Sequence, residues 1–244
     1  MTLVPTAHER GITTLTLDSP ANRNALSARL VGELGDVLSA CAKDPAVRAV
    51  QLTHTGNTFC AGADLRSPPA PAAFVALLRS ITELPKPVVA RVEGHVRAGG
   101  LGLLGACDIS AAGPGASFAF TESRLGLAPA VISMPLLPRL DPRAAARYYL
   151  TGERFDAAEA ARTGLVTLAS DDVDEALAPV LDGLRRASPQ GLAESKRLVT
   201  ATVLAAFDRD ADTLVEHSAR LFASREAAEG VTAFLERRDP AWVL

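Results

Sequence analysis

The chain is poor in the residues that build extracellular frameworks and metal sites. It has three cysteines in 244 residues, Cys41, Cys60 and Cys107. An odd count at wide spacing excludes a disulfide framework and a zinc knuckle. It points to a reducing compartment, and we expect the cytoplasm. The four histidines, His8, His54, His95 and His217, are dispersed, with no H-x-x-x-H pair, so no metal site is expected. Lysine is scarce: Lys43, Lys86 and Lys196 are the lysines, and arginine supplies the other cations. The formal net charge is -3, so no general basic field exists to hold a nucleic acid backbone. No run of about 18 apolar residues suggests a membrane span. Met1 to Gly11 has no apolar core of a secretory leader. There is no G-x-S-x-G elbow and no phosphate-binding P-loop. Ala98-Gly99-Gly100-Leu101-Gly102 lacks the spacing of a dinucleotide-binding turn.

What is present is ordinary globular material: 48% hydrophobic and 22% charged residues, enough to bury about 70% of the unfolded surface. Residues 11–17 alternate and are β-branched, which reads as a strand. Ser27 is placed to cap a helix over 28–42, where Leu30, Leu34, Val37, Leu38 and Cys41 recur at helical spacing. Further strands are expected at 47–53, 88–92 and 108–111, with a loop over 54–64. Helices are expected at 71–83 and 98–106. This alternation argues for an α/β fold. Beyond Ser133 the pattern becomes helical, with helices expected at 133–140, 142–150, 156–163, 173–187, 189–206 and 208–237. Residues 165–168 read as extended. We expect an α/β core over 1–190 and a helical region over 191–244.

Two glycine-containing loops and one glutamate are candidates for chemistry. Thr58-Phe59-Cys60-Ala61-Gly62-Ala63-Asp64-Leu65 follows a strand, and Glu93-Gly94-His95-Val96-Arg97-Ala98-Gly99-Gly100 runs into a helix. Small residues leave backbone N–H groups uncovered, and two such donors aimed at one point form an oxyanion hole. On composition alone, close packing is the simpler account. Glu122 lies between Phe118-Ala119-Phe120-Thr121 and a Gly-Pro loop. An apolar setting raises a carboxyl pKa towards neutrality. On residue type alone, a solvated glutamate or one paired with Arg124 is the simpler account.

Taken in order, these segments resemble the crotonase superfamily, the enoyl-CoA hydratase/isomerase family. The resemblance is carried by Asn22-Arg23-Asn24-Ala25-Leu26-Ser27 and by Phe59-Cys60-Ala61-Gly62-Ala63-Asp64-Leu65. It continues through Pro87-Val88-Val89-Ala90 to Gly99-Gly100 and Cys107-Asp108, and through Thr121-Glu122-Ser123-Arg124-Leu125-Gly126-Leu127. Tyr149-Leu150-Thr151-Gly152 with Gly164-Leu165-Val166, then Glu229-Gly230-Val231-Thr232-Ala233-Phe234, complete it. The six blocks span nearly the whole chain. The resemblance implies a spiral of ββα units with a helical C-terminal region used for trimer contacts, as a homotrimer or a dimer of trimers. It implies an acyl-CoA thioester substrate, with coenzyme A entering as part of it and no separate cofactor. By position, the oxyanion hole is the backbone N–H of Ala63 and Gly99, and the catalytic carboxylate is Glu122. Ala25, Leu26, Ala61, Asp64, Leu65 and Arg66 would hold coenzyme A, Arg66 standing where the family often has a lysine near the phosphates.

One departure bears on the reaction. Hydratases of this family carry two catalytic glutamates, and the first falls on Gly102, twenty positions before Glu122. Ala128-Pro129-Ala130-Val131-Ile132 also lacks the family's P-G-x-G-G run, which implies a reshaped acyl pocket. A single base suffices to move a double bond, so the reading leans to Δ3-Δ2 enoyl-CoA isomerisation. A 2-enoyl-CoA hydratase of reduced or altered efficiency is the alternative, and a non-catalytic acyl-CoA-binding homologue a third. Arg97, beside the oxyanion segment, is expected to point to solvent or to meet a polar acyl group.

Overall fold

The computed structural model describes residues 2–244; Met1, the first residue of the segment searched for a leader, lies outside them. Two sheets are built in alternation along the chain. The larger contains β1 (Thr6–Glu9), β2 (Ile12–Leu17), β3 (Ala49–His54), β5 (Val88–Val92), β7 (Ile109–Ala112) and β10 (Leu168–Ala169), in that order. The smaller contains β4 (Thr58–Cys60), β6 (His95–Arg97), β8 (Ser117–Ala119) and β9 (Phe155–Asp156). Neighbours are parallel except for β1 with β2 and β8 with β9. Each turn of the spiral lays one strand in the large sheet and one in the small sheet. It then returns through a helix: β3-β4-α2 (Pro71–Glu83), then β5-β6-α3 (Gly99–Ala106). The ββα spiral expected from the resemblance is the fold observed.

Local chemistry explains the elements. Ser27 accepts a hydrogen bond from Leu30 N at 3.1 Å and starts α1 (Ala28–Lys43), whose Leu30, Leu34, Leu38 and Cys41 enter the core. α3 has no polar face, and Gly100 to Ala106 are all buried. It therefore runs through the interior between sheet and helices.

Several expected boundaries move. The loop over 54–64 contains β4, and the short strands β6 and β8 were not expected. Three residues are too few to show alternation, and these strands form only by pairing with one another. The strand expected at 108–111 is Ile109–Ala112, because Asp108 turns its carboxylate to the Val88 N–H. The helix expected at 133–140 is α4, Ser133–Leu136, followed by α5, Pro142–Thr151, and α6, Ala157–Arg162. Of the extended stretch expected at 165–168, Leu168 alone is in a strand, with Ala169. α7 spans Val173–Arg186.

The break expected near residue 207 is absent. α8 runs unbroken over Pro189–Phe222, with Phe207 buried and Asp208 paired to Arg79 of α2 at 2.6 Å. The chain breaks instead at Ala223, where Ser224 caps α9 (Arg225–Glu236). Val203, Ala206 and Phe207 of α8 belong to the same hydrophobic core as α1, α2 and α3. Among the described residues, no helix is long and apolar enough to cross a membrane.

Candidate active site

Three segments distant in sequence meet: residues 22–27, residues 61–66 and the start of α3. Residues 22–27 lie beside residues 61–66 as a short parallel ladder. Leu26 N donates to Gly62 O at 2.8 Å, Asp64 N to Leu26 O at 2.9 Å and Ala61 N to Arg23 O at 3.1 Å. Asn24 fixes the first of these. It is fully buried, with Oδ1 accepting from Ser19 N and Nδ2 donating to Thr55 O and Thr58 O. Its φ of 53°, following 59° at Arg23, reverses the chain there. Asn tolerates this left-handed conformation better than most residues.

The third segment begins α3. Gly62 lies so close to it that a Cβ there would stand 2.9 Å from the Ala98 Cβ and 3.5 Å from Gly99 N. Ala98 has φ 47° and ψ -121°, a strained conformation for a residue with a side chain. It turns the 98–99 peptide as the chain enters the helix. Among the described residues, the amides of Ala63 and Gly99 donate to no backbone carbonyl in a loop or cap. The structure thus brings the two expected oxyanion loops side by side.

Of the remaining expected site residues, Leu26 buries its side chain and uses both backbone polar groups in the ladder. Ala25, Ala61 and Asp64 are half-buried along it, and Leu65 and Arg66 are exposed at its end. Asp64 accepts hydrogen bonds from Arg66 N at 2.9 Å and Asn22 Nδ2 at 3.4 Å. Its carboxylate holds the loop's shape.

Glu122 opens a single helical turn, Glu122–Leu125, directly after β8. It is buried, and its Oε2 has no hydrogen-bond partner. Burial pushes its pKa up to about 7, with its own backbone N–H opposing the shift. Arg124 does not pair with it; that guanidinium donates to Thr151 O. Behind the turn lies α9. A Cβ on Gly126 would stand 2.6 Å from the Glu226 carbonyl carbon, and one on Gly230 2.5 Å from Leu125 O. Glycine at both positions lets the C-terminal helix press on the turn that carries Glu122. Tyr149 of α5 stands within range of the Glu122 charge, its ring 4.5 Å from that of Phe120.

At position 102, where the resemblance implies a glutamate, the structure places a hydrophobic neighbour that the sequence did not foretell. A Cβ on Gly102 would lie 2.5 Å from Ile132 Cγ2 and 3.3 Å from Leu78 Cδ1. Gly102 and the run from Ala128 to Ile132 stood out separately, but nothing in the sequence said that Gly102 and Ile132 touch. Arg97 neither points freely to solvent nor is left for an acyl group. It is half-buried and donates to Val96 O, Ser117 O and Ser117 Oγ, bracing β6 against β8. Burial first, then Arg154, lower its pKa to about 10. A cavity of 310 Å³ near Cys107 and Arg139, and a cleft of 510 Å³ between α1 and α2, include none of Ala63, Gly99 and Glu122. Among the described residues no cluster of three metal-ligating side chains occurs.

Known proteins resemble the chain over nearly its whole length. Residues 7–243 match the family described as enoyl-CoA hydratase/isomerase. The crystal structure of an enoyl-CoA hydratase from Mycobacterium avium is 54% identical, covers 99% of both chains and superposes with a TM-score of 0.93. The carnitinyl-CoA dehydratase of Citrobacter koseri is 33% identical over 93% of both chains. The 1,2-epoxyphenylacetyl-CoA isomerase of Escherichia coli K12 is 32% identical over 95% of both. This fold and these relatives make the chain a member of the enoyl-CoA hydratase/isomerase family of the crotonase superfamily, and an enzyme of that class.

Proposed function

We propose that the enzyme shifts the double bond of a 3-enoyl-CoA to the 2-position, with Glu122 as the one proton carrier. The observation that carries this is the buried Glu122 carboxyl, whose Oε2 has no hydrogen-bond partner and whose pKa burial raises to about 7, together with hydrocarbon rather than a second carboxylate at position 102. The Glu122 carboxylate takes a proton from C2. The electrons of that C–H bond form a dienolate whose negative charge rests on the thioester oxygen. The C3–C4 electrons then take the same proton at C4, leaving the double bond between C2 and C3. Atoms balance without water and without a further cofactor.

The amides of Ala63 and Gly99 receive the thioester oxygen in this scheme. One such donor aimed at developing charge is worth about 3 kcal/mol of barrier. Coenzyme A lies along the ladder, against Ala25, Leu26, Ala61, Asp64 and Leu65, with Arg66 near its phosphates, where a guanidinium makes strong charge-assisted hydrogen bonds. The helical region from 191 to 244 serves self-association. Its exposed Phe222, Phe234, Leu235 and Trp242 suit burial in a trimer, to be checked by light scattering.

The second reading is hydration of a 2-enoyl-CoA, favoured by the 54% identity to an enoyl-CoA hydratase. Product analysis separates the two. The enzyme is offered a 3-enoyl-CoA and, separately, the matching trans-2-enoyl-CoA. Isomerisation yields an equal-mass product of shifted retention from the first, and hydration yields the gain of one water from the second. Glu122→Gln is expected to lower turnover by about 10²–10⁴-fold while CoA-ester binding persists. Unchanged turnover in that variant sinks both readings.

A further inference from the structure

The contact between Gly102 and Ile132 has consequences for the choice of reaction. A Cβ on residue 102 would lie 2.5 Å from Ile132 Cγ2 and 3.1 Å from Ile132 Cβ. The second distance matters more, because no rotation about χ1 moves a Cβ away. The branched side chain is also stiff at that bond. The Ile132 backbone is held as well. On either side of it Ala130 N donates to Ala128 O and Ser133 N to Ala130 O, and Ser133 Oγ donates to Pro129 O. Gly105, on the same face of α3 one turn later, meets Leu136 in the same way, its Cβ position 2.6 Å from Leu136 Cδ2. Ile132 and α4 therefore sit directly on the backbone of α3. The same segment reaches towards the turn that carries Glu122: Ser133 Oγ is 3.4 Å from the Tyr149 hydroxyl, and the Tyr149 ring lies 4.5 Å from that of Phe120, two residues before Glu122.

We propose that Ile132 is a specificity-determining residue: its hydrocarbon fills the place above Gly102, denies water a polar anchor there, and commits the bound thioester to proton transfer. This rests on the single-carboxyl chemistry proposed above. Residues 102 and 132 then form an exclusive pair, since a side chain at 102 is accommodated only when 132 is small.

Three variants test this: Gly102→Glu, Ile132→Gly and the two combined. Each is assayed for melting temperature and for water added to trans-2-enoyl-CoA. Gly102→Glu alone is expected to melt well below the native enzyme and to add no water. The combination is expected to regain much of that melting temperature and to hydrate at least about tenfold faster than the native enzyme, at the low end of what a positioned acid–base group supplies. A combined variant no more stable than Gly102→Glu alone overturns the proposal, as does one that folds and adds no water. Native-like stability and hydration in Gly102→Glu alone would show that Ile132 is no barrier. Rapid hydration by the native enzyme defeats the isomerase reading itself, and is visible before any variant is made.

Discussion

Gly62 and Ala98 face one another so closely that a methyl group on the first would stand 2.9 Å from the methyl of the second. Both have positive φ, 91° and 47°. Each immediately precedes an amide assigned to the thioester oxygen, Ala63 and Gly99. The two loops are thus set against each other at the residues that orient those donors. Only the absence of a side chain on one of them lets both fit.

Gly62→Ala should therefore cost stability and turnover together. A side chain at that φ and an overlap with Ala98 combine to about 1–3 kcal/mol. Any displacement of Ala63 N also weakens the proposed oxyanion contact. Ala98→Gly should do the opposite to stability, gaining up to about 1 kcal/mol by releasing strain. Calorimetry and steady-state kinetics on the pair decide this; a Gly62→Ala enzyme with native melting temperature and kcat would contradict it.

Glu122 should make stability depend on pH in a direction unusual for a carboxyl group. Its pKa rises from the ordinary 4.5 to about 7 in the folded chain. Between those values the folded state binds more protons than the unfolded state, so stability declines as pH rises. The contribution is present in full below about 4.5 and gone above about 7, and amounts to about 3 kcal/mol. Urea denaturation across pH 5 to 8 should show this slope in the native enzyme and lose it in Glu122→Gln. Equal slopes in both proteins would place the titration elsewhere. The proposed proton abstraction needs the charged form, so its rate should climb through the same range.

A third outcome concerns the pair that ties α8 to the spiral. Lys196 Nζ meets Asp108 Oδ2 at 2.7 Å and donates to Ile81 O and Lys86 O. Both groups are buried. Burial pushes the Asp108 pKa up and the Lys196 pKa down, so loss of solvent outweighs their attraction. Removing one partner strands the other charge. Lys196→Met should cost about 3–5 kcal/mol, and Asp108→Asn added to it should restore part of the loss. Simple additivity of the two substitutions in chemical denaturation would mean that the groups are not coupled.

The sequence exposed what depends on local chemistry. Ser27 announced its helix by capping chemistry, and β2 by alternation over six residues. The two loops proposed to form the oxyanion hole stood out through the family's motifs rather than composition, which also fits plain packing. Three kinds of feature were hidden. The short strands β4, β6 and β8 exist by pairing with one another, and β1 is exposed along its whole length, so it carries no hydrophobic pattern. The unbroken α8 depends on Phe207 being buried and Asp208 reaching Arg79. The Gly102–Ile132 contact joins residues thirty positions apart, and their separate oddities acquire meaning only in three dimensions.

The elevated pKa of Glu122 also bears on direction. Burial raises that pKa to about 7, so near neutral pH the carboxyl can both take and give a proton. For the proposed shift, the charged carboxylate starts either passage, taking a proton from C2 of one isomer or from C4 of the other and returning it at the far carbon. No second group has to be reset between turnovers. Such an active site speeds both directions alike; the relative stability of the two thioesters, together with their amounts, decides which way material flows.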